Sequence, residues 1–322
     1  MNKDSKIFVA GHKGLVGSAI TRSLKISGYV NILTKDHKEL DLTDQNAVNN
    51  FFEKEKPEYV FLAAAKVGGI GANSALPADF IYINTLIGFN VIHAAYKNGV
   101  KKLLNLGSSC IYPKLAPQPM KEEYLLSDFL EPTNEAYAIA KISVIKLCTF
   151  YNQQYGTNFL SLMPTNLYGP GDNYDLSTSH VLPALIRKFH DAKISGADHV
   201  TLWGDGSPRR EFLFSDDLAD AVVQLMLNNN VKDLSNPAGD FLNVGCGEDL
   251  TIRELAETIC KIVYSDTQNR TCRIEWDSSK PNGTPQKLLD ISRIKSLDFT
   301  PKTSLKDGIK VSYEDFKKMN NL

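Results

Sequence analysis

Ile7-Phe8-Val9-Ala10-Gly11-His12-Lys13-Gly14-Leu15-Val16-Gly17 decides how this chain folds. The first four residues read as a short buried strand. Glycines follow at 11, 14 and 17, and a helical pattern runs over residues 18–27. Glycine permits a tight turn there and lets backbone N–H groups approach a pyrophosphate at the start of a helix. The spacing is GxxGxxG rather than the more frequent GxGxxG. The loop therefore takes its meaning from its setting: a strand before it, a helix after it, and a tyrosine–lysine pair further on.

Working outward, strand-like runs at 30–33, 59–62, 102–106 and 159–162 alternate with helical runs at 47–55, 77–98 and 135–155. Such alternation predicts an α/β fold, a doubly wound parallel sheet of Rossmann-like form with helices on both faces. Ligands of such sheets sit at the carboxyl ends of the strands. Residues 11–17, 63–70, 107–112 and 163–171 all lie just past a predicted strand and should converge on one crevice. Residues 113–132, rich in proline and polar side chains, read as a loop over that site. Near residue 165 the character changes, and Gly169-Pro170-Gly171, Gly204-Asp205-Gly206 and Pro281-Asn282-Gly283 punctuate shorter elements. The expected division is a dinucleotide-binding domain over 1–165 and a smaller substrate domain over 166–322. Segments near 214–227 and 241–244 are expected to return to the first.

A length of 322 residues allows a sizeable core, and 43% hydrophobic with 23% charged residues is the balance of a soluble globular protein. A formal net charge of −1 argues against nucleic acid as a partner, since no basic excess exists to neutralise phosphates. Arg187-Lys188 and Arg209-Arg210 could still hold a small diphosphate; their simpler reading is as solvated surface pairs. Cys110, Cys148, Cys246, Cys260 and Cys272 are scattered and form no CxxC. That argues against a disulfide framework or a metal site and fits the cytoplasm. Neither a signal-peptide pattern nor an apolar run long enough to span a bilayer is present, so no membrane association is expected.

The chemistry is carried by Ser108, Cys110 and Tyr137-Ala138-Ile139-Ala140-Lys141. A tyrosine and a lysine four apart share one helix face. A protonated lysine near a phenol favours the phenolate and is expected to lower its pKa from about 10. The phenol can then exchange a proton with a substrate oxygen that a serine hydroxyl holds in place. This set suits hydride transfer at a carbonyl or alcohol carbon. YxxxK by itself occurs in many helices, so the glycine loop upstream is what gives it weight. The adjacent thiol points to a second kind of proton chemistry at the same place.

On these residues the chain resembles the extended short-chain dehydrogenase/reductase family. Within it, the chain is similar to the branch that epimerises and reduces GDP-4-keto-6-deoxy sugars. The likeness runs nearly end to end. It is densest in Ala63-Ala64-Ala65-Lys66-Val67-Gly68-Gly69-Ile70, Gly107-Ser108-Ser109-Cys110-Ile111-Tyr112-Pro113, Glu131-Pro132-Thr133-Asn134, Met163-Pro164-Thr165-Asn166-Leu167-Tyr168-Gly169-Pro170, and around His180. The resemblance implies 3,5-epimerisation by Cys110 and His180 as base and acid, then 4-keto reduction by Ser108, Tyr137 and Lys141. It implies cofactor contacts from Gly11, His12, Lys13, Gly14, Leu15, Val16, Gly17, Lys35, His37, Asp41, Leu42, Ala63, Ala65, Leu106, Gly107, Ser108, Ser109, Tyr137, Lys141, Pro164, Thr165, Asn166, Leu167 and His180. Lys188, Trp203, Arg210 and Asn282 fall where the family contacts the GDP-sugar, and a homodimer built on helices 77–98 and 135–155 is implied.

Inverting a carbon beside a keto group needs a base on one face and an acid on the other. Thiols and imidazoles both titrate near neutrality. The enolate oxygen left by proton removal would then lie between Ser108 and Tyr137. For the cofactor, an acid at the end of the second strand favours NAD and cations favour NADP. Thr34-Lys35-Asp36-His37-Lys38 has both. The family's arginines near 37 and 13 are missing, yet Lys13, Lys35 and Lys38 supply charge, so NADPH is the expected hydride donor. A 4,6-dehydratase of the same family would carry Asp-Glu where Ser109-Cys110 stands. A 4-epimerase would need neither the thiol nor the histidine, and a non-catalytic nucleotide sensor would be expected to have lost the tyrosine or the lysine.

Overall fold

The computed structural model describes residues 1–234, 241–267, 271–280 and 282–320. Its first half runs β1 (Ile7–Ala10), α1 (Leu15–Ile26), β2 (Ile32–Leu33), α2 (Gln45–Glu55), β3 (Tyr59–Leu62), α3 (Ile70–Ala75), α4 (Pro77–Lys97), β4 (Lys102–Leu106), α5 (Glu135–Tyr155) and β5 (Phe159–Pro164). The chain continues through β6 (Asn166–Tyr168), α6 (Val181–Ser195), β7 (His199–Trp203), β8 (Arg209–Phe214), α7 (Ser215–Asn228), β9 (Phe241–Val244), β10 (Asp249–Thr251) and α8 (Ile252–Val263). It ends with β11 (Arg273–Asp277), β12 (Gln286–Lys287), α9 (Ser292–Lys295) and α10 (Leu305–Met319).

Among the described residues, six strands form one all-parallel sheet in the order β2-β1-β3-β4-β5-β9. Side chains alternate across a strand, and the core follows that alternation. Ile7 and Val9 join the apolar layer under α1 and α7, while Phe8 and Ala10 join the layer under α2, α4 and α5. With both faces covered, the strands read as continuous apolar runs, the pattern of a parallel sheet. A separate core lies between α6, α8, α10 and strands β7 and β8, with Phe189, Leu202, Ile259 and Phe316 among its buried residues. Here β8 pairs with β10, β12 and β6, and β11 pairs with β7.

Two expectations shift at their edges. Helix α1 starts at Leu15 rather than Ser18, because Gly14 serves as its N-cap in extended backbone and Gly17 lies within its first turn. Strand β2 is only Ile32–Leu33, because Val30 turns out to solvent at 77% exposure. Residues 113–132 are irregular, as expected, apart from a short 3₁₀ turn at Glu122–Tyr124, and the segment is docked against the core. Ala116 and Met120 are buried in the core of the large sheet, Met120 forms a bridge with Leu289, and the Glu122 carboxylate accepts from Asn243 N at 3.0 Å and pairs with Arg293 at 3.2 Å. A buried charge of this kind holds only when paired and hydrogen-bonded, so the segment is docked at both its apolar and its charged positions. The stretch 289–299 also returns to the large core through Leu289, Ile291, Ile294 and Phe299.

Candidate active site

The loop after β1 is built for close backbone approach. Gly11 takes φ +86, and a Cβ there would stand 2.7 Å from Ala64 N; at Gly17 a Cβ would collide with the Gly11 carbonyl. Helix α1 then presents its first N–H groups with no capping side chain and no acid in its first turn, an arrangement that attracts anions. His12 Nδ1 is buried beside this loop without a partner among the described residues. These residues fit a dinucleotide pyrophosphate. The same close approach puts 11–17 against the end of β3, where Ala63 N donates to Ala10 O at 3.0 Å. Leu106 and Gly107 end β4, and Pro164 ends β5, where Gly107 N donates to Leu162 O at 2.8 Å. Thr165 and Asn166 are tied down through Thr165 Oγ1 and Asn166 Nδ2, both donating to Glu211 O at 3.2 and 2.9 Å. Leu167 follows in β6.

Of the expected cations Lys13, Lys35 and Lys38, the first two face carboxylates. Lys13 pairs with Asp36 at 3.0 Å, Lys35 with Glu39 at 3.1 Å, and His37 stands 3.8 Å from Asp41. Asp36 also accepts from Lys38 N and Glu39 N at 3.0 Å each. The Lys13 hydrogen bond, then that of Glu39 N–H, holds its carboxyl below the usual range. Asp41 is spent on Thr43, accepting from its N–H and hydroxyl at 2.9 and 2.7 Å, while Leu42 O accepts from Asn90.

At the head of β4 a short 3₁₀ turn, Ser109–Ile111, is capped by Ser108, whose Oγ accepts from Cys110 N at 3.2 Å. Helix α5 packs against this turn and delivers Tyr137 and Lys141 to it. Lys141 is buried, donates to Leu106 O at 2.9 Å, and lies 5.7 Å from the centre of the Tyr137 ring. Phe80 meets the same ring edge-on at 6.2 Å.

The electrostatics correct the expectation for the phenol. Tyr137 is pushed well above its ordinary pKa, first by burial and then by the negative charge Cys110 can carry, with the Ser108 hydroxyl opposing both. Lys141 is brought down to about 8 by burial, against the opposing field of Cys110. Desolvation outweighs the ammonium here, because Lys141 is turned to a carbonyl rather than to the phenol oxygen. Tyr137 thus stands protonated, ready to donate. Arg210 is also lowered by burial and also feels Cys110. His180 caps α6 through its carbonyl, which accepts from Ala184 N at 3.1 Å, while its side chain makes no capping bond and burial lowers its pKa. Its loop meets the turn before α3, where Gly69 N donates to Thr178 O at 3.2 Å.

The second lobe supplies a wall. Lys188 donates to Thr201 O at 3.2 Å, two residues before the exposed Trp203, and Asn282 Oδ1 accepts from Asp205 N at 2.9 Å. Gly283 lies against the Arg210 guanidinium. The two basic doublets are split by their elements. In β8, Arg209 turns to Asp249 at 2.8 Å while Arg210 donates to the Arg209 carbonyl at 2.8 Å. In α6, Arg187 reaches toward Asp191 at 3.5 Å and Lys188 toward β7. Sequence reasoning missed Glu211, which is fully buried and accepts from Gly247 N and Leu289 N at 2.7 and 3.1 Å. Its signal was the apolar run that follows it in β8, which is buried from Glu211 through Phe214, hidden by the arginines before it. No cluster of three or more His, Cys, Asp or Glu side chains able to hold a metal ion occurs among the described residues. Likewise, no helix there is long and apolar enough to cross a membrane.

A pyrophosphate cradle that shares one sheet edge with a serine, a phenol and a buried ammonium is the arrangement of dinucleotide-dependent enzymes acting at a carbonyl or alcohol carbon. This chain is of that class. More narrowly, it belongs to the NAD dependent epimerase/dehydratase family, whose sequence profile matches residues 7–245. It is 56% identical over 313 residues to GDP-L-fucose synthase 1 of Arabidopsis thaliana, covering 97% of this chain and 93% of that one. With GDP-L-fucose synthase of Escherichia coli K12 it shares 53% identity over 314 residues, covering 97% and 96%. Among solved structures it resembles a GDP-mannoheptose C4 reductase from Campylobacter jejuni with NADP bound, at 43% identity and a TM-score of 0.90, covering 98% and 99%.

Proposed function

We propose that this protein converts GDP-4-keto-6-deoxy-D-mannose to GDP-L-fucose with NADPH, first inverting C3 and C5 and then reducing C4. The observation that carries this reading is the position of Cys110. Cys110 N donates to Ser108 Oγ at 3.2 Å, and α5, which carries Tyr137 and Lys141, packs against the Ser109–Ile111 turn, so a base for carbon acids and a donor for the keto oxygen share one site. Near-full-length identity to two GDP-L-fucose synthases supports the substrate, and the NADP of the Campylobacter reductase supports the cofactor.

In this mechanism the Cys110 thiolate takes the proton from the carbon beside C4. The electron pair moves to O4, where Ser108 and Tyr137 donate to the enolate; one such preorganised donor is worth about 3 kcal/mol of barrier. His180 returns a proton to the same carbon from the other face. Cys110 then loses its proton and His180 regains one before the second carbon is inverted. Bound NADPH supplies the hydride that reduces C4. Tyr137 gives its proton to O4, and Lys141, at the foot of the same helix face, holds positive charge beside the phenolate that remains. Residues 11–17 would cradle the pyrophosphate. Lys188, Trp203, Arg210 and Asn282 would hold the GDP, with 1–165 serving the cofactor and 166–322 the sugar nucleotide.

NADPH oxidation should require the 4-keto-6-deoxy GDP-sugar. Comparable turnover of the UDP or dTDP analogue would remove the nucleotide assignment. For the cofactor's 2′-phosphate, Lys13→Ala with Lys35→Ala should weaken NADPH more than NADH. Equal losses, or a wild-type preference for NADH, would shift the credit to Asp36.

The same reading includes a homodimer. Tyr82 at 66% and Phe150 at 56% exposure, with Phe89 and Ile139, leave an apolar face on α4 and α5, and exposed patches of this kind mark interfaces. Phe150→Glu should lower the sedimenting mass to that of one chain; a wild type already sedimenting as a monomer would refute the dimer. A cytoplasmic location is part of the reading too, since a chain whose five cysteines form no disulfide suits a reducing compartment.

A further inference from the structure

We propose that Asn73 is a positioning residue for His180. It lies on α3 and is 8% exposed. Its side-chain amide donates to Gly68 O at 2.7 Å and to Gly69 O at 3.0 Å. The orientation is forced, because a reversed amide would set its oxygen against two carbonyl oxygens. In the adopted orientation Asn73 Oδ1 is buried without a partner among the described residues. A buried acceptor left unmatched is costly, so the two donated bonds are what keep the side chain where it is.

The turn fixed in this way is the seat of the His180 loop. Gly69 N donates to Thr178 O at 3.2 Å, and a Cβ on Gly69 would stand 3.2 Å from Ser179 O. The next residue is His180, the N-cap of α6, whose side chain makes no capping bond to its own helix. The imidazole's placement is therefore set through its backbone: His180 O accepts from Ala184 N at 3.1 Å, Thr178 N and Ser179 N donate to Asp175 O at 3.2 and 2.8 Å, and the Gly68-Gly69 turn holds the Thr178 carbonyl from the other side. Gly68 also faces Phe80, whose ring meets Tyr137. That contact is a packing contact rather than a hydrogen-bonded one, so loss of the Asn73 amide should act on the histidine and spare the phenol.

This inference rests on His180 delivering the proton in epimerisation, and the test separates the two. Each variant is given GDP-4-keto-6-deoxy-D-mannose and NADPH, and the ratio of epimerised to unepimerised 6-deoxy product is read by NMR. Asn73→Asp keeps the size of the side chain but replaces two donors with a carboxylate facing two carbonyls. The ratio should fall by about 10-fold or more, the scale on which small misplacements of a catalytic group act, with total hydride turnover and NADPH affinity little changed. Gly69→Ala, which crowds the Ser179 carbonyl directly, should lower the ratio in the same way and decides the matter if Asn73→Asp does not fold. Asn73→Asp added to His180→Gln should cost nothing more, because contacts acting through one group are not additive. If His180→Gln leaves the ratio unchanged, the role given to the histidine is wrong. If it lowers the ratio and the folded Asn73 variant does not, or if that variant loses hydride turnover equally, the positioning role is overturned.

Discussion

Replacing Cys110 with serine should stop exchange of the sugar's C3 and C5 hydrogens with deuterated water while leaving 4-keto reduction in place. An alcohol does not ionise near neutral pH as a thiol can, so the base is lost. The loss of a positioned base is worth about 10²–10⁴-fold, and exchange should fall by that amount. The fold of the site should not change. The 3₁₀ turn is held by the Cys110 backbone N–H on Ser108 Oγ, a bond that does not involve the thiol. With NADPH present the product should be the unepimerised 6-deoxy sugar or its C4 epimer. Exchange at wild-type rates at both carbons would make the thiol a packing residue and leave a plain keto-sugar reductase.

Tyr137→Phe tests the other half. Phe80 meets the ring edge-on, a contact phenylalanine keeps, so the variant should fold. Reduction should drop by about 10²-fold or more, since O4 loses its proton donor. Exchange at C3 and C5 should fall as well, because the enolate oxygen loses one of its two donors. Cys110→Ser removes only exchange, and Tyr137→Phe lowers both; that contrast is what a shared O4 site requires. Near-normal NADPH consumption by the phenylalanine variant would take Tyr137 out of the mechanism.

Much of the large sheet was legible in the sequence because its strands are apolar on both sides and are bounded by glycine or proline. Strands β1, β3 and β4 and helix α5 lie where the patterns put them. Helix α1 was misplaced by three residues because Gly14 and Gly17 read as loop; a glycine that packs against another backbone looks, in sequence, like one that merely turns. The second lobe was not legible in this way. Strands β6, β10 and β12 have three residues or fewer, too short for any period to show, and their pairing with β8 is set by tertiary contacts. The site residues divide similarly. Ser108, Tyr137 and Lys141 could be argued from spacing and chemistry. Lys188 and Arg210 stood in basic doublets, whereas Trp203 and Asn282 came from resemblance alone; the local contacts of all four, Lys188 with β7, Asn282 with Asp205 and Gly283 with Arg210, are set by the fold. The direction of the Tyr137 shift was misjudged because sequence spacing gives neighbours but not depth, and burial outweighed the neighbour.

The return of the chain to its first sheet bears on how such proteins can be recombined. After leaving through β6 the polypeptide comes back as α7 and β9, departs again through β10, and re-enters the large core at 289–299. A fragment ending at 165 would therefore strip β5 of its neighbour β9 and uncover the apolar flank of α1. Neither lobe is a cassette. Grafting the sugar-nucleotide lobe of one relative onto the dinucleotide lobe of another takes a splice at every passage between them, and buried polar residues fasten those passages, Glu211 and Asn243 at 165–166, 243–247 and 289–290 and Asp217 at 302–303.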